Sequence, residues 1–136
     1  MKKAISILMV IILSIVLFSC SGKMGSEKNK VTPKIAIQGY WTASVMGITI
    51  SYKFVNGSYY GKLSAIVEGQ NIDTGFSYWG KYTVDEKNNL IILTLEEDGS
   101  TSNMRYVFKN GKITHLATID KNGSEGAALT KISDLK

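Results

Sequence analysis

The amino-acid sequence predicts an all-β protein: an antiparallel up-and-down meander of about eight strands that closes into a small barrel. Three observations lead there. From residue 35 onward, apolar and polar residues alternate with period two, the pattern of a strand with one buried face. Asn-Gly dipeptides at 56–57 and 110–111 punctuate that alternation, and this pair suits a two-residue hairpin turn because both positions need φ > 0. After residue 20, no segment keeps a helical period for more than a turn or two. Composition agrees: one Pro, 13 Gly and many β-branched and aromatic residues favour strands with Gly-based turns.

The chain opens with Lys2 and Lys3, followed by an uncharged run of 15 residues (4–18) dominated by Ile, Leu and Val. As a helix it would reach about 22 Å at ~1.5 Å per residue, short of the ~30 Å hydrocarbon core of a bilayer. That length fits the apolar region of an export signal better than a membrane span. The next residues, Leu17-Phe18-Ser19-Cys20, resemble the lipobox of bacterial lipoproteins, with Leu at −3, a small residue at −1 and Cys at +1. The resemblance implies that residues 1–19 are a cleaved lipoprotein signal peptide. Cys20 would then become the mature N-terminus, lipidated by a thioether-linked diacylglycerol and often an N-acyl (palmitate-type) chain. Cys20 is the only cysteine, so no intramolecular disulfide is available to it. Two or more acyl chains give stable anchoring. The expected location is the bacterial cell envelope, lipid-anchored to a membrane, and to the outer membrane where the source has two.

Residues 20–34 are rich in Gly, Ser and Lys and have no apolar period, so they read as a flexible tether. Residues 35–136 read as the β domain. The first strand carries Gly39, Trp41, Ala43 and Val45 on one face and ends near Met46-Gly47. In the second, Ile48, Ile50, Tyr52 and Phe54 share a face. Folding at Asn56-Gly57 sets Val55 opposite Ser58, Phe54 opposite Tyr59, Tyr52 opposite Gly61 and Ile50 opposite Leu63. The turn and the alternation specify this register independently. A turn at 68–71 follows, and then a less regular stretch, 72–84, in which Gly75 and Gly80 suggest bends or bulges. Residues 90–95 form a strand that is apolar on both faces. Folding at Asn110-Gly111 sets Phe108 opposite Ile113 and Tyr106 opposite His115. Residues 127–132 give the last strand.

Gly39-Tyr40-Trp41 at the head of the meander resembles the lipocalins, and more closely the small lipocalin-like domains of bacterial lipoproteins. The likeness extends to Gly80-Lys81-Tyr82-Thr83-Val84 and to the late Asn-Gly hairpin. It implies a lipocalin-like barrel whose closed end is plugged by Trp41, with a basic residue of the final strand packed across it. Lys131 is that strand's candidate.

Net charge narrows the partners. Without residues 1–19 the chain keeps 14 basic and 11 acidic residues, too even a mixture for a nucleic-acid footprint. No catalytic constellation, phosphate loop or dinucleotide fingerprint is present, so neither an enzyme nor a cofactor is expected. His115 is the only histidine and cannot form a metal cluster alone. The aromatic residues stand out. Trp41, Tyr52, Phe54, Tyr59 and Tyr82 fall on the inner face, joined there by Tyr106 and His115. They either fill the core or line a pocket for a small hydrophobic ligand, with Ala43, Gly61, Ala65 and Ala117 leaving space. Tyr60 points outward, and Tyr78 and Trp79 cannot both point inward from one extended strand. Tyr60, Trp79, Ile91 and Leu93 therefore form a candidate outer interaction surface. The functional expectation is a non-enzymatic envelope lipoprotein that binds a small hydrophobic ligand. The alternatives are an interaction module for an envelope protein or glycan, with a filled core, and an inhibitor of an exported enzyme.

Overall fold

A computed structural model describes residues 30–136, and its compact unit runs from Val31 to Lys136. The predicted signal peptide, Cys20 and most of the tether lie outside the described residues. The chain enters through a single helical turn, α1 (Pro33–Ala36), with Pro33 in the first turn, where its missing N–H costs no hydrogen bond. This turn occupies the stretch where the alternation was expected to begin. It buries Ala36 and leads into Ile37, which is fully enclosed.

Ten strands follow: β1 (Gly39–Val45), β2 (Ile48–Val55), β3 (Ser58–Val67), β4 (Gln70–Asp73), β5 (Ser77–Asp85), β6 (Leu90–Leu95), β7 (Thr101–Lys109), β8 (Lys112–Ile119), β9 (Glu125–Ala128) and β10 (Thr130–Ser133). All neighbours pair antiparallel, in the order β10-β1-β2-β3-β5-β6-β7-β8-β9, with β4 beside the outer half of β3. β9 and β10 stand at opposite ends of this order, yet only Leu129 separates them in the chain. The final segment thus pairs with β8, turns at Leu129 and pairs with β1, all but closing the sheet into a barrel. Leu129 is buried at this switch, and its N–H donates to the Leu116 carbonyl at 2.7 Å.

The count differs from eight because two expected strands are broken. The stretch 72–84 is interrupted at Thr74-Gly75-Phe76, where Gly75 takes φ 71° and β3 exchanges β4 for β5 as its partner. The last strand is broken at Leu129. The hairpins match expectation. Asn56-Gly57 and Asn110-Gly111 both have positive φ, and β2 meets β3 in the expected register, with Phe54 opposite Tyr59 and Tyr52 opposite Gly61. Met46-Gly47 and Glu68-Gly69 make two further turns with positive φ at both residues.

Three placements require correction. A bulge in β8 next to the Asn110-Gly111 turn keeps Phe108 opposite Ile113 but sets His115 opposite Val107 and Leu116 opposite Tyr106. One extra residue reverses every later side chain, so Leu116 enters the core and His115 faces outward. A second bulge sets Tyr59 opposite Gly80 and Tyr60 opposite Tyr78, leaving Trp79 between them. Tyr78 points out, while Trp79 turns inward and packs against the core rather than forming a surface. Third, Ile91 and Leu93 are buried, not exposed. β6 pairs Leu93 with Tyr82 and Ile91 with Val84. Directly opposed residues share a face, so the inward Tyr82 brings Leu93 inward with it. A strand that is apolar on both sides left that choice open in the sequence.

Candidate functional site

The barrel has two unlike ends. α1, the β2–β3 and β7–β8 turns and the β5–β6 loop gather at one end. The β1–β2, β3–β4, β6–β7 and β8–β9 connections gather at the other. The first end is closed. Trp41 is 2% exposed, its indole N–H donates to the Ile37 carbonyl at 2.7 Å, and the Lys131 ammonium sits 5.8 Å from its ring centroid. Lys131 also donates to the Ala36 carbonyl at 3.1 Å. A β10 lysine thus ties α1, β1 and the plugging indole together.

Above this plug the predicted ligand-lining residues come together, His115 excepted, but as a filled interior. Phe54 meets Tyr82 edge-on at 5.1 Å and stacks with Tyr52 at 5.9 Å and Tyr59 at 6.3 Å. Trp79 meets Tyr52 edge-on at 5.8 Å and Tyr59 at 6.4 Å. The space that Gly61 was expected to leave is taken by the Trp79 ring, which lies closer to this glycine than any side chain there could tolerate. Burial pushes the hydroxyl pKa values of Tyr52, Tyr59, Tyr82 and Tyr106 upward, so these groups stay protonated and uncharged at neutral pH. Tyr106 Oη is buried with no hydrogen-bond partner among the described residues. None of this supplies a nucleophile or a base. His115, on the outside, contacts the Glu125 carboxylate at 3.0 Å, with Arg105 3.9 Å from the same residue. No group of three or more His, Cys, Asp or Glu side chains suited to a metal ion occurs among the described residues.

The other end is open. β1, β2, β3 and β4 carry the inner-face alternation beyond the aromatic layer, through Val45, Ile48, Ile50, Leu63, Ala65, Val67 and Ile72. Cross-strand pairing aligns Val45 with Ile48, Ile48 with Ala65, Ile50 with Leu63 and Ala65 with Ile72. The wall is therefore continuous, and it is uncovered: Ile72 is 49% exposed, Val67 48%, Ile48 45% and Leu63 42%, with Met46 fully exposed at its tip. Trp79 over Gly61 lies at its foot. Soluble proteins rarely leave contiguous apolar patches larger than a few hundred Å² without a use for them. The sequence contained this wall in the period-two run of β2 and β3, but alternation alone does not say where the opposing strands stop.

A second feature lies on the outer face. Tyr40 meets Phe76 edge-on at 5.7 Å, and Tyr60 meets Tyr78 at 5.6 Å. Lys53 sits over the Tyr40 and Tyr60 rings at 5.7 and 5.5 Å, and Lys62 over Phe76 at 5.3 Å. Of the predicted surface set, Tyr60 alone belongs here. The chain matches no protein-family model, no curated protein and no solved structure.

Proposed function

We propose that this chain is a non-enzymatic, lipid-anchored protein of the bacterial envelope that holds a small hydrophobic ligand at the open end of its barrel. The uncovered apolar wall of β1–β4 carries this reading. The ligand site differs from the sequence expectation in depth. The interior aromatics form its floor, with Trp79 uppermost, and Ile48, Leu63, Val67 and Ile72 form its wall. An acyl chain or flat apolar ring fits such a surface, where burial of apolar area supplies ~25 cal/mol per Å². The anchor rests on the Leu17–Cys20 lipobox resemblance and on the single cysteine.

Titrating the protein with fatty acids and lipid extracts while following tryptophan emission tests this reading. Binding should shift the Trp79 signal, and Leu63→Glu should abolish the shift while leaving the fold intact. Unchanged emission across the series, or binding unaffected by L63E, would overturn the reading. The outer aromatic–lysine face supports a second reading, an interaction surface for an envelope protein or glycan. Tyr40→Ala and Tyr60→Ala would then abolish capture of that partner without altering tryptophan emission.

A further inference from the structure

The charges of the described unit are sorted by end. At the closed end, Lys34, Lys87, Lys109, Lys112 and Lys136 are exposed, and Lys131 is paired with Asp134. Two other carboxylates are present there. Asp85 is turned onto the Asn88 side chain and backbone at 2.8 and 3.2 Å, which holds its pKa down, and Glu86 is exposed. At the open end the order reverses. Glu68, Glu96, Glu97, Asp98, Asp120 and Glu125 are exposed there, against Lys121 and Arg105. Arg105 is already committed to Glu125. The excess at each end is set by a few elements: Lys34, Lys109, Lys112 and Lys136 at the closed end, and Glu68 with Glu96, Glu97 and Asp98 at the open end, while the β5–β6 loop is itself mixed and the β1–β2 and β2–β3 turns carry no charge.

The chain also enters at the basic end. Val31 lies beside Gly111 in the β7–β8 turn, and α1 follows at once. The tether sequence just before it adds Lys23, Lys28 and Lys30 against Glu27. The attachment point and the positive pole therefore coincide, and the apolar wall lies at the opposite pole.

We propose that the closed, basic end docks on a surface of anionic lipid headgroups, so that the barrel stands with its open end facing away from the membrane that anchors it. The inference rests on the anchored-lipoprotein reading for the height of the domain above the bilayer, and on charge complementarity for its orientation. Lysines near an anionic leaflet are attracted individually, and the attraction fades within a Debye length of about 8 Å at physiological salt. Repulsion of the acidic end by the same leaflet adds to the bias. The hydrophobic ligand would consequently arrive from the space beyond the membrane and not from the adjoining bilayer.

The test uses the full chain on phosphatidylcholine vesicles, with and without phosphatidylglycerol. A water-soluble amine-acylating reagent reads each lysine by mass spectrometry. On anionic vesicles at low salt, Lys109 and Lys112 should be protected several-fold, while Lys121 labels as it does in solution. High salt should remove the protection. Lys109→Glu with Lys112→Glu should weaken vesicle association by about fivefold per lysine, and Lys121→Glu should not weaken it. Equal labelling at both ends, or equal protection on neutral vesicles, overturns the orientation. A chain that carries no lipid and ignores neutral vesicles, yet binds anionic ones with Lys109 and Lys112 protected, refutes the anchor and retains the docking. A chain that pellets through its lipid with both ends labelled alike retains the anchor and refutes the docking.

Discussion

The two ends of this barrel are built from the same alternating pattern and reach opposite outcomes. At the closed end, β1 presents Trp41, and the chain supplies everything needed to cover it: a helical turn from before the strand, a carbonyl for the indole, and a lysine from the last strand. At the open end, the same strand presents Val45 beside Ile48, and nothing described lies across them. Apolar residues at strand positions create a demand for burial, and only the neighbouring elements determine whether it is met. Where it is met, the residues contribute stability. Where it is not, they remain exposed.

Substitution at matched positions separates the two ends most sharply. Trp41→Ala should remove about 3–5 kcal/mol, because it opens a cavity, leaves the Ile37 carbonyl without its indole donor and removes the ring beneath Lys131. Ile48→Ser, on the same sheet but at the uncovered wall, should stay within about 0.5 kcal/mol. Chemical denaturation midpoints of the two variants check this, and equal losses would mean that the open end is covered in solution.

The boundary between filled interior and open wall lies at Gly61. Gly61→Ala places a methyl group against the Trp79 ring and should cost about 1–3 kcal/mol through overpacking. The indole should also move, so a shift in tryptophan emission should accompany the lower midpoint. A stability loss without that shift would place the strain elsewhere.

Alkaline pH gives the smallest effect and bears chiefly on the tyrosines of the filled half, although burial and Glu96 also push the outer Tyr78 hydroxyl upward. The folded pKa values of Tyr52, Tyr59, Tyr82 and Tyr106 are raised above the ordinary 10.0 by burial. The unfolded chain therefore releases these protons first. The stability they contribute is complete below pH 10 and declines as pH rises through the folded values. Denaturation midpoints should be flat from pH 7 to 9 and fall above pH 10, less so in Tyr52→Phe. A decline that begins near neutrality would implicate other groups.

Much of this fold is legible in the sequence, because turn chemistry and alternation are local. Asn56-Gly57 fixed a register that needed no tertiary information, and the inner aromatics followed from it. Two of the three misplacements share one cause. His115 and Trp79 sit at or just beyond bulges, and a bulge inserts a single residue whose effect is global while its sequence signature is weak. Ile91 and Leu93 sit in a strand with no polar face to orient it. The candidate site was half legible: its residues lie in the apolar runs, but the sequence showed them as core.

By itself, then, the sequence determined the all-β class, the hairpins, the aromatic interior and the lipobox-like N-terminus on which the envelope reading stands. Each of these depends on neighbours within a few positions. Tertiary structure alone decided which apolar residues are covered, which way Trp79 and His115 face, and that the two ends carry opposite net charge. Coverage and charge separation are properties of where distant strands stop and which loops gather together, and no local pattern records that.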